Sequence, residues 1–139
     1  MKFFVDTSIY VDCLRKDPVS SSTSFLKSLQ EDNTGFISTI TIAELSVGAY
    51  LSQRKDALKK TLDLLTPVTL INIDRDIALE GGRIYSSLIK NGEEIELNDC
   101  LIVAAASSVG IHEIVTRNIK HFKRIKGIKP ITPEDLGFE

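Results

Sequence analysis

Lys2-Phe3-Phe4-Val5-Asp6-Thr7-Ser8 sets a short apolar run directly against a carboxylate and two hydroxyls. Such a run reads as a buried strand that ends on a polar edge. Similar runs rich in Val, Ile and Phe recur at Phe36 to Ser38, Val68 to Ile73, Glu113 to Thr116 and Ile128 to Ile131. Between them the spacing of apolar residues predicts helices over about 8–15, 19–32, 39–52, 55–66, 75–91 and 98–109, with a short one near 119–124. Pro18 ahead of a serine run, Asp74 and Asn98 are suited to helix starts. Gly35, Gly92, Gly110 and Gly127 stand where helices or turns should stop. Strands alternating with helices give an α/β fold, a mainly parallel central sheet flanked by helices on both faces. In open sheets of this kind ligands bind beyond the carboxyl ends of the strands, where strand order reverses. The polar residues that follow each apolar run are therefore the first candidates for a site.

The 139 residues are expected to form one domain, 1–139, long enough to bury about two-thirds of the unfolded surface. Hydrophobic residues at 42% and charged residues at 26% lie near globular averages, which excludes a disordered or fibrous chain. No apolar run approaches the roughly 20 residues that span a bilayer. The amino terminus meets an acid after three apolar residues, unlike a secretory signal. Cys13 and Cys100 lie far apart without metal-binding spacing, so a reduced, cytoplasmic protein with no disulfide framework is expected. Nineteen acids against 17 bases argue against a general nucleic-acid coat. The distribution is uneven, however. Arg117, Lys120, Lys123, Arg124, Lys126 and Lys129 fall in one stretch without an acid, preceded by Glu93, Glu94, Glu96 and Asp99. Each stretch is either a solvated face or, for the basic one, a contact for a polyanion.

Asp6 ends the first apolar run, so its carboxylate points to the crevice, or caps the helix that begins at Ser8 or Ile9. In the stretch Ser38 to Leu51, positions 40, 43, 47 and 51 make an apolar stripe. At about 100° per residue Glu44 falls on that stripe rather than opposite it. A charged side chain there needs a partner or must reach out to solvent. Asp99 opens Asn98-Asp99-Cys100-Leu101-Ile102-Val103-Ala104-Ala105-Ala106 in register with Ile102, Val103 and Ala106, in a first turn whose dipole favours negative charge. A plain helix cap is the competing account. Thr116 and Asn118 lie at the end of the fourth run, where Asn118 alone reads most simply as a cap. His112 and His121 are too isolated to form a ligand pair, and surface or hydrogen-bonding roles suit them.

Carboxylates about 4 Å apart repel by roughly 4 kcal/mol per pair at an effective dielectric of 20. Three converging acids without a base would raise one another's pKa, and a hard divalent cation removes that cost. Mg²⁺ is typically held by one or two carboxylates with waters and phosphate oxygens, and no His or Cys pattern offers a softer zinc site.

Together, Asp6 in Val-Asp-Thr-Ser, Glu44 in Thr-Ile-Ala-Glu-Leu, Asp99 in Asn-Asp-Cys-Leu-Ile-Val-Ala-Ala-Ala, and Thr116-Arg117-Asn118 before His121-Phe122 resemble the PIN-domain ribonucleases. The likeness is greatest to the VapC-type toxins of toxin–antitoxin pairs, and runs from residue 2 to about 136. It implies a PIN-like three-layer fold and a Mg²⁺- or Mn²⁺-dependent endoribonuclease acting on single-stranded or loop RNA. Asp6, Glu44 and Asp99 match the first three acids of the family and would be the metal ligands, with Thr116 and Asn118 completing the catalytic set. The family's fourth position is often Asp, and an amide at Asn118 would hold a second metal less firmly. One firm metal is expected, with a second arriving alongside RNA. Arg117 and Lys120 are expected to follow the RNA backbone. The resemblance also implies a cognate antitoxin protein and a homodimer, and Tyr50, Leu51, Leu58, Leu62 and Leu65 in the segment 39–66 either supply its apolar surface or, for most of them, pack in the core.

Two other readings compete. The fourth position motivates a PIN domain that binds RNA or a partner without cutting. A phosphoacceptor receiver module shares the length, the acid after strand one and a Lys129-Pro130 pair. Receivers need an acidic pair after that strand, whereas Thr7 and Ser8 follow Asp6, and they leave Glu44 and Asp99 without a role.

Overall fold

Phe3 and Val5 point to one side of the first strand and Phe4 to the other, and all three side chains are buried. A strand apolar on both faces requires cover on both, and the computed structural model, which describes all 139 residues, supplies it. The strands are β1 (Lys2–Val5), β2 (Thr34–Ser38), β3 (Thr69–Ile71), β4 (Glu113–Val115) and β5 (Lys129–Ile131). They form one sheet in the order β3-β2-β1-β4-β5, every pairing parallel. The helices are α1 (Thr7–Leu14), α2 (Ser20–Ser28), α3 (Thr39–Leu51), α4 (Ala57–Leu64), α5 (Arg75–Lys90), α6 (Leu97–Ser108) and α7 (Ile119–Phe122), followed by a 3₁₀ turn at Glu134–Leu136.

Phe3, Val5, Ile37, Val115 and Ile131 pack beneath Ile9 and Tyr10 of α1 and Phe25 and Leu26 of α2. Phe4 and Ile114 pack on the opposite face against α5 and the almost wholly buried Ile102 to Ala106 run of α6. The result is the expected α/β/α sandwich. Gly81 lets α5 lie close on α6, since a Cβ there would stand 2.5 Å from Leu101 Cδ2. The chain steps outward from β1 through β2 to β3, then returns to the other side of β1 as β4. Strand order reverses between β1 and β4, and the pairing of Val5 with Val115 brings Asp6 beside Thr116.

Several local expectations change. Asp74 caps α5 by accepting from Ile77 N at 2.9 Å, but α6 begins at Leu97, so Asn98 lies inside the helix. Gly92 and Gly110 follow α5 and α6 at φ 69° and 71°, a backbone suited to glycine. Gly35 instead lies within β2, where an added Cβ would meet Leu29 Cδ1 at 2.7 Å. The predicted stripe of α3 is also rotated. Thr41 and Leu45 are its buried residues, whereas Ala43, Val47 and Leu51 are exposed. Apolar residues occur around much of this helix, so spacing alone does not select the inward face.

Tyr10 is fully buried and its hydroxyl has no hydrogen-bond partner. A buried hydroxyl left unpaired costs about 1–3 kcal/mol. Tyr10→Phe should therefore raise the unfolding free energy by about 1 kcal/mol in a urea titration, with an unchanged slope.

Candidate active site

Asp6 leaves β1 in extended backbone and begins α1 as its cap, so the two roles open in the sequence coincide. Its Oδ2 accepts from Ser8 Oγ at 2.7 Å, from Ser8 N at 3.4 Å and from Thr116 Oγ1 at 2.8 Å. These donors fix the carboxylate while its Oδ1 accepts from no protein group. Ser8 Oγ and Thr116 Oγ1 in turn accept from the backbone N–H of Arg117 and Asn118, both at 2.9 Å. The segment after β4 is thus sewn to the segment after β1.

Ser38 ends β2 and caps α3, accepting from Ile40 N at 3.2 Å. The helix carries Glu44 toward the same crevice, where Thr7 Oγ1 donates to Glu44 Oε1 at 2.7 Å. A hydroxyl has one proton, so Thr41 is the donor in its 3.0 Å contact with Thr7. Asp99 enters from the first turn of α6, 8% exposed, with no hydrogen-bond donor and only His121 Nδ1 nearby at 3.6 Å. Burial, then the charges of Asp6, Glu96 and Glu44, push its pKa up to about 6, while His121 pulls the other way.

These side chains line one open cavity of about 490 Å³ at the carboxyl ends of β1 and β4, and Asp6, Glu44, Glu96, Asp99, Asn118 and His121 all border it. Asp6, Glu44, Asp99 and Asn118 were all legible as candidates in the sequence. Buried Thr116 supports the site by donating to Asp6. Asn118 stands at the start of α7, yet its side chain makes no capping bond, which removes the cap reading. Lys120 is exposed on α7. Arg117 departs most from expectation. Its guanidinium is turned to the wall, donating to Asp12 Oδ2 at 2.7 Å and Glu134 Oε1 at 2.6 Å rather than extending into solvent.

Among the bordering residues, two acids and a histidine were not singled out as site candidates in the sequence. Glu96 was visible only as part of an acidic stretch, and His121 only as an isolated histidine. Asp12 had one available signal, since it lies one helical turn beyond Ser8 on α1.

The oxygens without donors, Asp6 Oδ1, Glu44 Oε2 and both of Asp99, are hard ligands, and burial, followed by the charges of Asp6, Glu96 and Glu44, raises the Asp99 pKa beside them. That donor set suits a divalent cation. The carboxylates do not stand as a closed shell, because no three of the His, Cys, Asp and Glu side chains are arranged to hold an ion together. The expected convergence of three acids is correct for the cavity but not for ligand geometry. Glu44 Oε1 is instead occupied by the Thr7 hydroxyl.

Beside this cavity runs a more apolar cleft of about 310 Å³ that includes Leu14, Leu45, Ala49 and Ala57 and shares Val11, Arg15 and Glu44 with it. Val47, Tyr50 and Leu51 of α3 and Leu62 of α4 are exposed, whereas Leu58 and Leu65 are half-buried. No helix is long and apolar enough to cross a membrane.

The sequence matches the PIN domain family over residues 3–128. It is 33% identical to Ribonuclease VapC2 of Rickettsia felis across 92% of this chain and 95% of that one. The fold is similar to that in the crystal structure of Rickettsia felis VapBC2 bound to a promoter DNA fragment, with a TM-score of 0.80 and 32% identity over 95% of this chain and 98% of that one. It is also similar to a toxin–antitoxin complex from Klebsiella pneumoniae, with a TM-score of 0.71 and 28% identity over 94% of this chain and 96% of that one. With the ordered acids gathered where the strand order reverses and these likenesses spanning nearly the whole chain, the protein belongs to the PIN-domain family, among its VapC-type members.

Proposed function

We propose that this protein is a divalent-metal-dependent endoribonuclease that cuts single-stranded or loop RNA, and that it is the toxin of a toxin–antitoxin pair. The observation that carries the reading is the group of under-bonded carboxylate oxygens around one cavity at the strand-order reversal, with Asp99 pushed up to about 6 by burial and its acidic neighbours. Asp6 and Asp99 would hold Mg²⁺ or Mn²⁺, with Glu44 as a further ligand or the group that orients the attacking water. When bound, such an ion supplies an acidified water and offsets charge on the phosphate. One ion would be held by these carboxylates and a second would be recruited with RNA, since Asn118 would contribute an amide oxygen without charge.

The protein's own part is orientation. Ser8 and Thr116 fix one oxygen of Asp6 and leave the other toward the cavity. Thr7 does the same for Glu44. Asn118, at the rim, hydrogen-bonds water or phosphate. Lys120 lies two residues farther on and meets the RNA backbone, continued by Lys123 and Lys126. Lys120→Ala should raise KM for RNA several-fold, leave kcat nearly unchanged, and lower the salt dependence of binding by about one unit of slope.

Water attack on phosphorus leaves the ribose uninvolved, so the products should carry 5′-phosphate and 3′-hydroxyl ends. End-group analysis by mass spectrometry tests this, and a 2′,3′-cyclic phosphate would overturn the mechanism. Asn118 favours one second reading, a PIN domain that binds RNA or a partner without cutting. RNA retained without cleavage, with metal bound, would select it.

The apolar cleft that opens into the acidic cavity suits an antitoxin segment whose arginine enters beside the carboxylates, where a guanidinium bonds two oxygens at once. The exposed Val47, Tyr50, Leu51 and Leu62 suit a homodimer contact.

A further inference from the structure

Arg117 lies between two residues of the site, Thr116 and Asn118, and borders the cavity, yet its guanidinium is bonded to side chains of the wall. Its Nε donates to Asp12 Oδ2 at 2.7 Å, one terminal nitrogen to Glu134 Oε1 at 2.6 Å, and the other to Ser21 Oγ at 3.1 Å and Ser22 Oγ at 2.8 Å. The acceptors are themselves linked, because Ser22 Oγ donates to Asp12 Oδ2 at 2.7 Å and Ser21 Oγ donates to Glu134 Oε2 at 2.8 Å. The Asp12 side chain is 6% exposed, and a carboxylate this buried needs a partner. One planar guanidinium therefore joins α1, α2 and the 3₁₀ turn near the carboxyl terminus, contacts a lysine could not reproduce together.

We infer that Arg117 is a positioning residue for Asp6, and that Asp12, Ser21, Ser22 and Glu134 form the bracket that holds it. The inference rests on the nuclease reading and adds to it a role for groups that touch no substrate. The coupling is direct. The Arg117 N–H donates to Ser8 Oγ, and Ser8 Oγ donates to Asp6 Oδ2. The Asn118 N–H donates to Thr116 Oγ1, which also donates to Asp6 Oδ2. Both side-chain hydroxyl donors that orient Asp6 are thus held by the backbone of the segment that Arg117 fastens. Asp12 borders the acidic cavity, but its charge is used on Arg117 rather than on a metal. Glu134 is the accessible end of the bracket, 52% exposed and facing the guanidinium rather than the cavity.

The test compares Arg117→Met, Arg117→Lys and Glu134→Gln with the unaltered protein, by RNA cleavage kinetics and by amide hydrogen exchange. Loss of a group that orients a catalytic carboxylate typically costs 10–100-fold. Arg117→Met should lower kcat by about 10-fold or more with KM changed less than about 2-fold, Arg117→Lys should be intermediate, and Glu134→Gln should lower kcat by a smaller factor in the same direction. Exchange at the Arg117 and Asn118 amides should quicken while that of Asp6 N, bonded to Val115 O within the sheet, stays slow. A guanidinium serving as an RNA contact gives the opposite signs. Arg117→Met would raise KM with kcat intact, and Glu134→Gln would free the cation and lower KM. Either result overturns the inference, as does unchanged exchange at 117 and 118. If Arg117→Met does not fold, Glu134→Gln carries the test alone. Absence of cleavage by the unaltered protein would sink the nuclease reading instead, and the exchange measurement would still judge the bracket.

Discussion

Asp99→Asn should stabilise the metal-free protein at neutral pH while abolishing its activity. Burial and the charges of Asp6, Glu96 and Glu44 push the Asp99 pKa up to about 6, above the unfolded carboxyl value of about 3.9. Between those values the folded state binds more protons than the unfolded one, so stability from this group is full at low pH and is lost as pH rises through about 6. At pH 7 the charged form is retained in the fold at a cost on the order of 2 kcal/mol, which the neutral amide does not incur. Urea titrations should show Asn more stable at pH 7 and the advantage gone near pH 4. Mg²⁺ or Mn²⁺ should raise the melting temperature of the unaltered protein more than that of the variant. A variant less stable at pH 7, or a difference independent of pH, would mean that the Asp99 charge is not opposed by burial and its acidic neighbours.

Phe4→Ala should cost about 3–5 kcal/mol, a large share of a total stability of about 5–15 kcal/mol. Phe4 lies in the central strand, fully buried against the α5 and α6 layer, in a cluster that includes Ile102 and Ile114. It is also two residues before Asp6. A void here loosens the strand that presents the first carboxylate and the helix that presents Asp99. The urea midpoint should fall with an unchanged slope, and a loss below about 1.5 kcal/mol would show that the layers do not pack as described.

The order of elements was readable because buried parallel strands are short apolar runs and the helices between them carry recognisable ends. Asp6 was legible for the same reason, since a carboxylate that closes such a run must lie on an edge of the sheet. Glu44 was reached by a less secure route. The stripe through 40, 43, 47 and 51 is largely on the outer side of α3, while Glu44 borders the cavity beside the buried Thr41 and Leu45. A helix apolar around much of its circumference does not reveal its inward face until its neighbours are placed. Arg117 shows the other limit. A run of bases without an acid suggests a polyanion contact, but the partner of Arg117 is Asp12, 105 residues earlier, brought near by the parallel crossovers. His121 likewise gained meaning only when α7 was placed beside α6, within 3.6 Å of Asp99.

On the proposed reading this acidic cavity cuts RNA with the help of a divalent ion. The most direct measurement is cleavage of a quenched fluorescent single-stranded RNA by the purified protein in Mg²⁺, Mn²⁺ or EDTA, beside Asp99→Asn prepared in parallel. Cutting is expected in metal, none in EDTA, and a loss of at least about 10³-fold in the variant, the several kcal/mol expected of metal-assisted charge stabilisation. Equal cutting by both proteins, or cutting that persists in EDTA, would contradict that reading.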